Sequence, residues 1–134
     1  MAFTLVKNSK GYWRFIKDLR EMKGVSQGFI SQSEITDADH TAFMEKHSEH
    51  YHICLLKKKP IGFIGLVNGD LRLAVLPEHQ GKGAGHFMLQ KYLELYDNIS
   101  TKIKPENTKS LELFKRNGFS IKYLALERHQ AKSK

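Results

Sequence analysis

The sequence predicts an α/β domain with a mixed, mostly antiparallel central sheet that is flanked by helices. Apolar residues recur at helical spacing near the start of the chain and again after residue 83. Between these segments, three short apolar runs follow one another as the strands of a meander do. Strand-like and helix-like runs then alternate. We expect a single domain over residues 1–134, in the order β-α-α-β-β-β-α-β-α-β, with residues 129–134 as a frayed tail.

The first fifty residues predict one strand and two helices. Residues 2–7 are a short strand candidate, and Asn8 or Ser9 can cap a helix that runs to Met22. Thr36 and Asp39 form a capping box, so the second helix begins there, and we expect it to end near His47. The apolar face of the first helix consists of Tyr12, Phe15, Ile16, Leu19 and Met22.

Three strands are predicted next, over residues 51–56, 61–67 and 71–76. Asn68-Gly69 lies between the last two strands. A type I′ turn needs positive φ at both central residues, and Asn-Gly favours that conformation. The lysines before Pro60 are interpreted as the other turn. An antiparallel meander therefore follows from two tight turns.

Two helices and two strands are predicted in the last third of the chain. The helices cover residues 83–96 and 108–116, and the strands cover residues 99–103 and 119–127. Asn117-Gly118 suits the left-handed conformation in which many helices end. The last segment alternates apolar and polar residues, which is typical of a half-buried strand.

The composition limits the partners and the compartment. There are 22 lysines and arginines against 14 acidic residues, a net charge of +8, which favours anionic ligands. The basic residues are scattered and not interleaved with aromatic residues, so we expect no nucleic-acid partner. No apolar run is long enough for a membrane span or a signal peptide, so we expect no membrane partner. The single cysteine, Cys54, fits a reduced, cytoplasmic setting.

The stretch LPEHQGKGAGHF, residues 76–87, joins a predicted strand to a predicted helix. Glycines are costly at a helix start, yet Gly81, Gly83 and Gly85 all lie here. A glycine-rich turn lets backbone N–H groups at a helix N-terminus approach an anion, so the pattern predicts a phosphate site. Two common phosphate loops do not fit. A P-loop needs Ser or Thr after Lys82, and a dinucleotide fingerprint started at Gly81 needs glycine at position 86.

Two sequence blocks resemble the GNAT superfamily of acyl-CoA-dependent N-acetyltransferases. The pyrophosphate loop of that superfamily, Q/R-x-x-G-x-G/A after V-x-P, is matched by Val75, Pro77, Gln80, Gly83 and Gly85. The second block, ENTKSLELFKRNGF, is similar to a further motif of the superfamily and is matched by Asn107, Ser110, Leu113, Phe114, Gly118 and Phe119. The resemblance covers residues 50–128 well and the preceding residues weakly.

The resemblance implies acetyl-CoA as the co-substrate. Backbone groups of the fourth strand would bind the pantetheine arm, and those of the glycine loop would bind the pyrophosphate. Asn107 would bind near the thioester end, and Phe114 would lie beside the sulfur. Lys82, Lys109 or Lys115 would meet the adenosine phosphates. The implied co-substrate residues are Leu73, Ala74, Val75, Gln80, Gly81, Lys82, Gly83, Ala84, Gly85, Asn107 and Phe114.

The resemblance further implies direct transfer of an acetyl group to a primary amine. Such a reaction needs an acid that protonates the leaving thiolate, and many members of the superfamily use a tyrosine at the position of Phe114. Because phenylalanine has no proton to give, Tyr123 and Ser110 are the candidate acids, unless water protonates the thiolate. A non-catalytic acyl-CoA-binding protein is therefore one alternative.

The reaction also needs a base and an oxyanion donor. Asp70, which opens the fourth strand, is the candidate base, whereas Lys102 on the fifth strand is cationic unless it is buried. We expect a bulge in the fourth strand to turn a backbone N–H near Leu73 to Val75 toward the oxyanion.

The first half of the sequence would choose the acceptor amine. Its pattern, a Leu-Arg pair followed by a variable segment and then I-T…H…F, is similar to that of superfamily members acting on nucleotide-linked amino sugars. Arg20, Gln32 and His40 are the candidate contacts. This favours a small-molecule amine as the acceptor, with a protein or peptide amine as the alternative. We expect the protein to be a monomer or a homodimer. The spacing of His47, His50 and His52 resembles a metal site, but it spans a helix end and a strand start, so we expect no metal.

Overall fold

The computed structural model describes residues 2–25 and 35–128 as a four-stranded antiparallel sheet with helices on both faces. The strands lie side by side in chain order: β1 (Phe3–Lys7), β2 (Tyr51–Leu56), β3 (Lys59–Val67) and β4 (Asp70–Val75). The helices are α1 (Trp13–Glu21), α2 (Asp37–His47), α3 (Ala84–Leu95) and α4 (Thr108–Arg116). The predicted fold class is therefore confirmed. None of the helices described is long and apolar enough to cross a membrane.

The sheet separates two apolar cores. On one face, Ile16 of α1 and Met44 of α2 pack against Phe63 of β3. On the other face, Met88 of α3 and Phe114 of α4 belong to the second cluster of buried side chains. Neighbouring residues of a strand point to opposite faces, so each strand contributes to both cores.

Local sequence signals explain where several elements begin and turn. The Thr36 hydroxyl accepts a hydrogen bond from the Asp39 N–H at 3.1 Å, as the capping box predicts. Asn68 and Gly69 have φ values of 53° and 81°, the left-handed pair that the β3–β4 turn requires. The β2–β3 turn uses Lys57 and Lys58 in the same conformation without a glycine.

Two predicted strands do not form as expected. The segment 99–103 contributes a single parallel bridge, between Ser100 and Asp70. Residues 119–127 are not paired with any described strand, and the apolar side chains from Ile121 onward lie in solvent, with Leu126 92% exposed. The alternating pattern is typical of a strand, but a strand also needs an edge to pair with. The pattern does not provide that edge.

The prediction of a bulge in the fourth strand is wrong. The pairing of β3 with β4 runs without interruption from Val67 opposite Asp70 to Gly62 opposite Val75. The tight two-residue turn sets this register, and nothing further along the hairpin shifts it. The irregularity of the sheet lies instead in β2, between Cys54 and Leu55.

Candidate active site

The outer edge of β4 is paired at its start and open further along. The Leu71 N–H donates to the Ser100 carbonyl at 2.8 Å, and the Leu71 carbonyl accepts a hydrogen bond from the Thr101 hydroxyl at 3.0 Å. Beyond this point the two segments separate. Because backbone groups alternate along a strand, Leu73 and Val75 also face outward. We call these two residues the open edge of β4.

Little in the described chain satisfies the backbone groups of this open edge. The Val75 carbonyl accepts a hydrogen bond from the Gln80 side chain at 3.0 Å. The N–H and carbonyl of Leu73 and the N–H of Val75 have no partner among the residues that the structure describes. Ala74 faces the other way, opposite Phe63 of β3, so its backbone groups are not available at this edge. The open edge therefore offers two donors and one acceptor to an extended ligand.

The glycine loop, Gln80–Gly85, carries the chain from this edge into α3. Gly81 and Gly83 have φ values of 76° and 95°, which other residues adopt at a cost. Gly83 is the N-cap of α3, and no side chain caps that helix end. The first helical hydrogen bond goes from the Phe87 N–H to the Gly83 carbonyl at 2.9 Å. The preceding N–H groups, Ala84 to His86, are thus left for a ligand, and the positive end of the helix dipole favours an anion.

The other loop residues have distinguishable roles. Gln80 joins the loop to the end of β4 through its bond to Val75. Lys82 is exposed, as are Lys109 and Lys115 of α4, so all three side chains can reach a ligand from solvent. Gly85 permits close packing, because a Cβ atom there would lie 3.2 Å from Cδ2 of Leu113.

Helix α4 and its N-cap hold the two predicted co-substrate residues of the second sequence block, Asn107 and Phe114. The Asn107 side-chain oxygen accepts a hydrogen bond from the Ser110 N–H at 3.3 Å, so this residue caps the helix and its amide nitrogen remains for another contact. Phe114 is 5% exposed and packs edge-on against Phe119, with ring centroids 5.0 Å apart. Its ring belongs to the core beneath the loop, and it carries no group that exchanges a proton.

Asp70 lies where the open edge begins. Its side chain is 23% exposed, and its Oδ1 has no hydrogen-bond partner in the described structure. The Lys102 ammonium is 3.7 Å from that oxygen. The Lys102 side chain is 72% exposed, so its ammonium lies largely in solvent beside the carboxylate. The Asp70 carboxylate, with one oxygen free of hydrogen bonds among the described residues, remains the candidate base.

Tyr123 is not brought to the open edge. The residue is 81% exposed and lies in the extended segment after α4, with its ring 5.5 Å from the Lys122 ammonium. The sequence predicted a strand over residues 119–127, which includes Tyr123. Because that strand does not form, the hydroxyl points into solvent instead of toward β4.

On the opposite face of the sheet, a cavity of about 20 Å³ lies between α1, α2 and the strands. Two predicted acceptor residues, Arg20 and His40, line it, whereas Gln32 falls outside the described residues. The His40 ring links α2 to the start of α1, since its Nε2–H donates to the Trp13 carbonyl at 2.6 Å. The remaining lining residues are Ile16, Ile35, Phe43, Met44, Tyr51, Phe63 and Arg72. We call this space the basic cavity.

Arg72 is the site residue that the sequence reasoning missed. It projects from β4 on the face opposite Leu71, and its guanidinium carbon lies 5.7 Å from the centroid of the Phe43 ring. Burial, and then the charge of Arg72, lowers the pKa of Arg20. Burial also raises the pKa of Tyr51, which the two arginines partly oppose. A charged residue between Leu71 and Leu73, in an otherwise apolar predicted strand, was the available signal.

The three histidines do not share a site. The ring of His47 packs on Phe43 of α2 at 4.6 Å between centroids. His52 approaches the Tyr92 hydroxyl of α3 at 3.1 Å, on the other face of the sheet. No group of three metal-binding side chains occurs within residues 2–25 and 35–128.

Comparisons with solved structures agree with this fold. The crystal structure of spermidine N-acetyltransferase from Vibrio cholerae with CoA and spermine has a TM-score of 0.77 at 20% identity, covering 90% of this chain and 82% of that chain. The structure of yncA from Salmonella typhimurium with acetyl-CoA has a TM-score of 0.76 at 16% identity, covering 92% and 82%. AAC(6')-Iy with a CoA bisubstrate analogue has a TM-score of 0.67 at 18% identity, covering 98% and 100%. At these identities the likeness shows the fold alone.

The family is shown by the sequence. A search of curated protein sequences finds no significant match. The model of the acetyltransferase (GNAT) family, however, matches residues 13–119, which is most of the chain and includes the glycine loop and the Asn107 block. The chain therefore belongs to the acetyltransferase (GNAT) family and is an N-acetyltransferase.

Proposed function

We propose that this protein transfers an acetyl group from acetyl-CoA directly to the primary amine of a small molecule. The observation that carries the proposal is the open edge of β4, where Leu73 and Val75 leave backbone groups unpaired beside the glycine loop. The similar structures solved with CoA or acetyl-CoA support the choice of co-substrate.

The described residues fit the two ends of such a co-substrate. Unpaired donors and an acceptor at the open edge suit the amides of a pantetheine arm, which would lie along β4 as an added strand does. The uncapped N–H groups at the start of α3 suit a pyrophosphate. Gly83 and Gly81 keep side chains away from that approach, and Lys82 adds a positive charge at the rim.

In this proposal acetyl-CoA supplies the activated acyl group, and the chain supplies positioning and charge. The outward N–H of Leu73 is the oxyanion donor, because it is the first unpaired N–H after the point where β4 and Ser100 separate. The Asp70 carboxylate takes the proton of the incoming amine, directly or through a water molecule. With Phe114 in the core and Tyr123 in solvent, water delivers the proton to the leaving thiolate.

For the acceptor, we infer a small-molecule amine. Similar structures contain spermine or an aminoglycoside-derived bisubstrate analogue, which supports a small-molecule acceptor class. A nucleotide-linked amino sugar is the acceptor that the sequence favours. Its diphosphate would match the positive charge of this chain.

Two measurements test the proposal in sequence. Acetyl-CoA should raise the melting temperature of the purified protein, and Gly83→Val should remove this stabilisation because a side chain at φ +95° cannot be accommodated without moving the loop. Release of CoA thiol in the presence of amino sugars, amino acids or peptides then identifies the acceptor. Absence of any stabilisation by acetyl-CoA would refute the assignment of the co-substrate.

A further inference from the structure

We propose that the β2–β3 turn binds the 3′-phosphate of CoA through Lys57, Lys58 and Lys59, which we call the lysine turn. The inference rests on the proposed use of acetyl-CoA, and it adds a contact that lies outside both sequence blocks. It predicts that the protein distinguishes CoA from dephospho-CoA, which lacks this phosphate.

The backbone of the lysine turn favours residues other than lysine. Lys57 and Lys58 have φ values of 52° and 66°, so both central residues are left-handed. In the β3–β4 turn, the same conformation is taken by Asn68 and Gly69, the pair that suits it best. A lysine in the left-handed region carries a steric cost that glycine avoids. The turn itself therefore does not explain the lysines, which points to a function of their side chains.

The charges of the lysine turn have no counter-charge in the described structure. All three lysines are exposed, and none of the ion pairs within residues 2–25 and 35–128 involves them. Glu78, which lies at the same end of the sheet, is exposed and forms no ion pair with them either. Consecutive like charges repel each other. A phosphate monoester carries about −1.5 to −2 charges near neutral pH and would relieve this repulsion.

The lysine turn and the glycine loop leave the sheet at the same end. Gly62 of β3 lies opposite Val75 of β4, which is the last residue of that strand. The Leu76 N–H then donates to the Ile61 carbonyl at 2.8 Å. The lysine turn comes just before this point on β3, and the glycine loop comes just after it on the chain. The two segments are therefore neighbours beyond the end of the sheet.

The path of the glycine loop brings it past the lysine turn. On β1, Phe3 lies opposite Leu56, the residue that precedes the turn. The Phe3 ring is 4.0 Å from the position of a Cβ on Gly83, and its centroid is 5.6 Å from that of Phe87. The loop thus runs from β4 toward β1 and passes β3 and β2 on the way. Because adjacent strands are about 4.8 Å apart, the four-carbon stem of a turn lysine can reach a phosphate bound beside the loop.

The order of groups along CoA selects the phosphate that the lysine turn binds. In the proposed function, the open edge of β4 binds the pantetheine arm and the glycine loop binds the pyrophosphate. The nucleotide, with its 3′-phosphate, then continues past the loop and away from the open edge. The lysine turn lies on that side. Lysine also suits an exposed phosphate, because its ammonium is a mobile point charge that needs no fixed geometry.

The test compares the dissociation constants of CoA and dephospho-CoA by isothermal titration. We expect the wild type to bind CoA more tightly. The double variant Lys57→Asn/Lys58→Gly should weaken CoA binding about 2- to 30-fold, the range for two exposed charge contacts, and leave dephospho-CoA binding unchanged. The same variant gives the turn its preferred residues, so the melting temperature of the free protein should rise. Opposite changes in stability and affinity exclude damage to the fold as the cause.

Two further double variants are matched controls. Lys57→Arg/Lys58→Arg keeps both charges and should keep the preference for CoA. Lys7→Gln/Lys46→Gln removes two charges at the other end of the sheet, where β1 ends and α2 leads into β2, and should also keep the preference. Raising KCl from about 50 mM to about 300 mM should reduce the preference of the wild type, because salt screens exposed charges.

The nucleotide end of CoA separates this inference from the proposed function. Adenosine 3′,5′-bisphosphate and AMP differ only in the 3′-phosphate and contain no thioester. A preference for the bisphosphate that Lys57→Asn/Lys58→Gly loses supports the inference even if no acetyl transfer is found. Equal binding of CoA and dephospho-CoA by the wild type, or an undiminished preference in Lys57→Asn/Lys58→Gly, would overturn the inference and leave the proposed function standing. Absence of binding to CoA and to the bisphosphate would overturn both.

Discussion

Gly83 holds the backbone conformation on which the proposed pyrophosphate site depends. Its φ of +95° lies in the left-handed region, and no atom blocks the space where a Cβ would be, apart from the edge of the Phe3 ring at 4.0 Å. The need for glycine here is therefore conformational. Gly85 differs, because the limit there is contact with Leu113.

We predict that Gly83→Ala weakens acetyl-CoA binding about tenfold. A non-glycine residue in the left-handed region costs roughly 1–2 kcal/mol, which the loop avoids by turning its N–H groups away from the ligand. Isothermal titration with acetyl-CoA measures the change. Gly11→Ala is the control, since that glycine has open space around it and no left-handed φ. Unchanged affinity in Gly83→Ala would mean that the loop does not hold the ligand by its backbone.

One buried and one half-buried histidine, His47 and His52, give the fold a dependence on pH. Burial, followed by the charge of Lys7, lowers the pKa of His52 below its ordinary value of 6.5. Burial likewise lowers the pKa of His47. The unfolded chain therefore binds these protons more readily than the folded chain does. Stability is complete above about pH 6.5 and is lost as the pH falls from there toward the lower folded-state values.

We predict that His52→Gln makes this loss less steep. Urea unfolding between about pH 8 and about pH 5.5 gives the free energy of unfolding for the wild type and the variant. His86→Gln should keep the slope of the wild type, because His86 lies exposed on α3. If the wild type became more stable as the pH fell through this window, the direction assigned to both buried histidines would be wrong.

At the scale of elements, signals carried by a few neighbouring residues were read reliably. The Thr36 cap, the Asn68-Gly69 turn and the bounds of α2 and α4 agree with the structure because each depends on local hydrogen bonds or on φ alone. The strands over 99–103 and 119–127 were not predicted correctly, because a strand depends on a partner that is distant in sequence.

The same dependence on distant partners explains which parts of the candidate site could be predicted. The glycine loop is a continuous stretch, so its residues could be recognised together. Arg72 and Arg20 are far apart in the sequence and meet only because β4 turns alternate side chains toward α1. Tyr123 belongs to a predicted strand that does not form, and the backbone groups of Ala74 face β3 and not the open edge. Neither fact can be inferred from the local sequence pattern.

The segment after α4 provides a prediction at this scale. Leu126 is 92% exposed and Leu124 is 77% exposed, so little apolar burial is lost when they are replaced. We expect Leu126→Ser to change the free energy of unfolding by less than about 0.5 kcal/mol. Leu89→Ala, at a fully buried position of α3, should cost about 2–5 kcal/mol in the same denaturation assay. A comparable loss in Leu126→Ser would place the segment against the sheet.

At the scale of the whole molecule, the proposal assigns the donor and the acceptor to different sites around β4. In our proposal, the open edge and the glycine loop bind the donor, and the acceptor approaches from the α1–α2 face of the sheet. Arg72 and Leu73 are consecutive on β4, so one strand brings both functions to the same place. The net charge of +8 suits this arrangement, because the donor and the proposed acceptor are both anionic.

The most direct test of this account is the rate at which CoA thiol is released from saturating acetyl-CoA, with and without a panel of small amines. The account predicts release that depends on the amine and falls strongly in Gly83→Val. If no amine in the panel, acidic or neutral, accelerated the release of CoA by a folded protein, the proposal of acetyl transfer to a small-molecule amine would be contradicted.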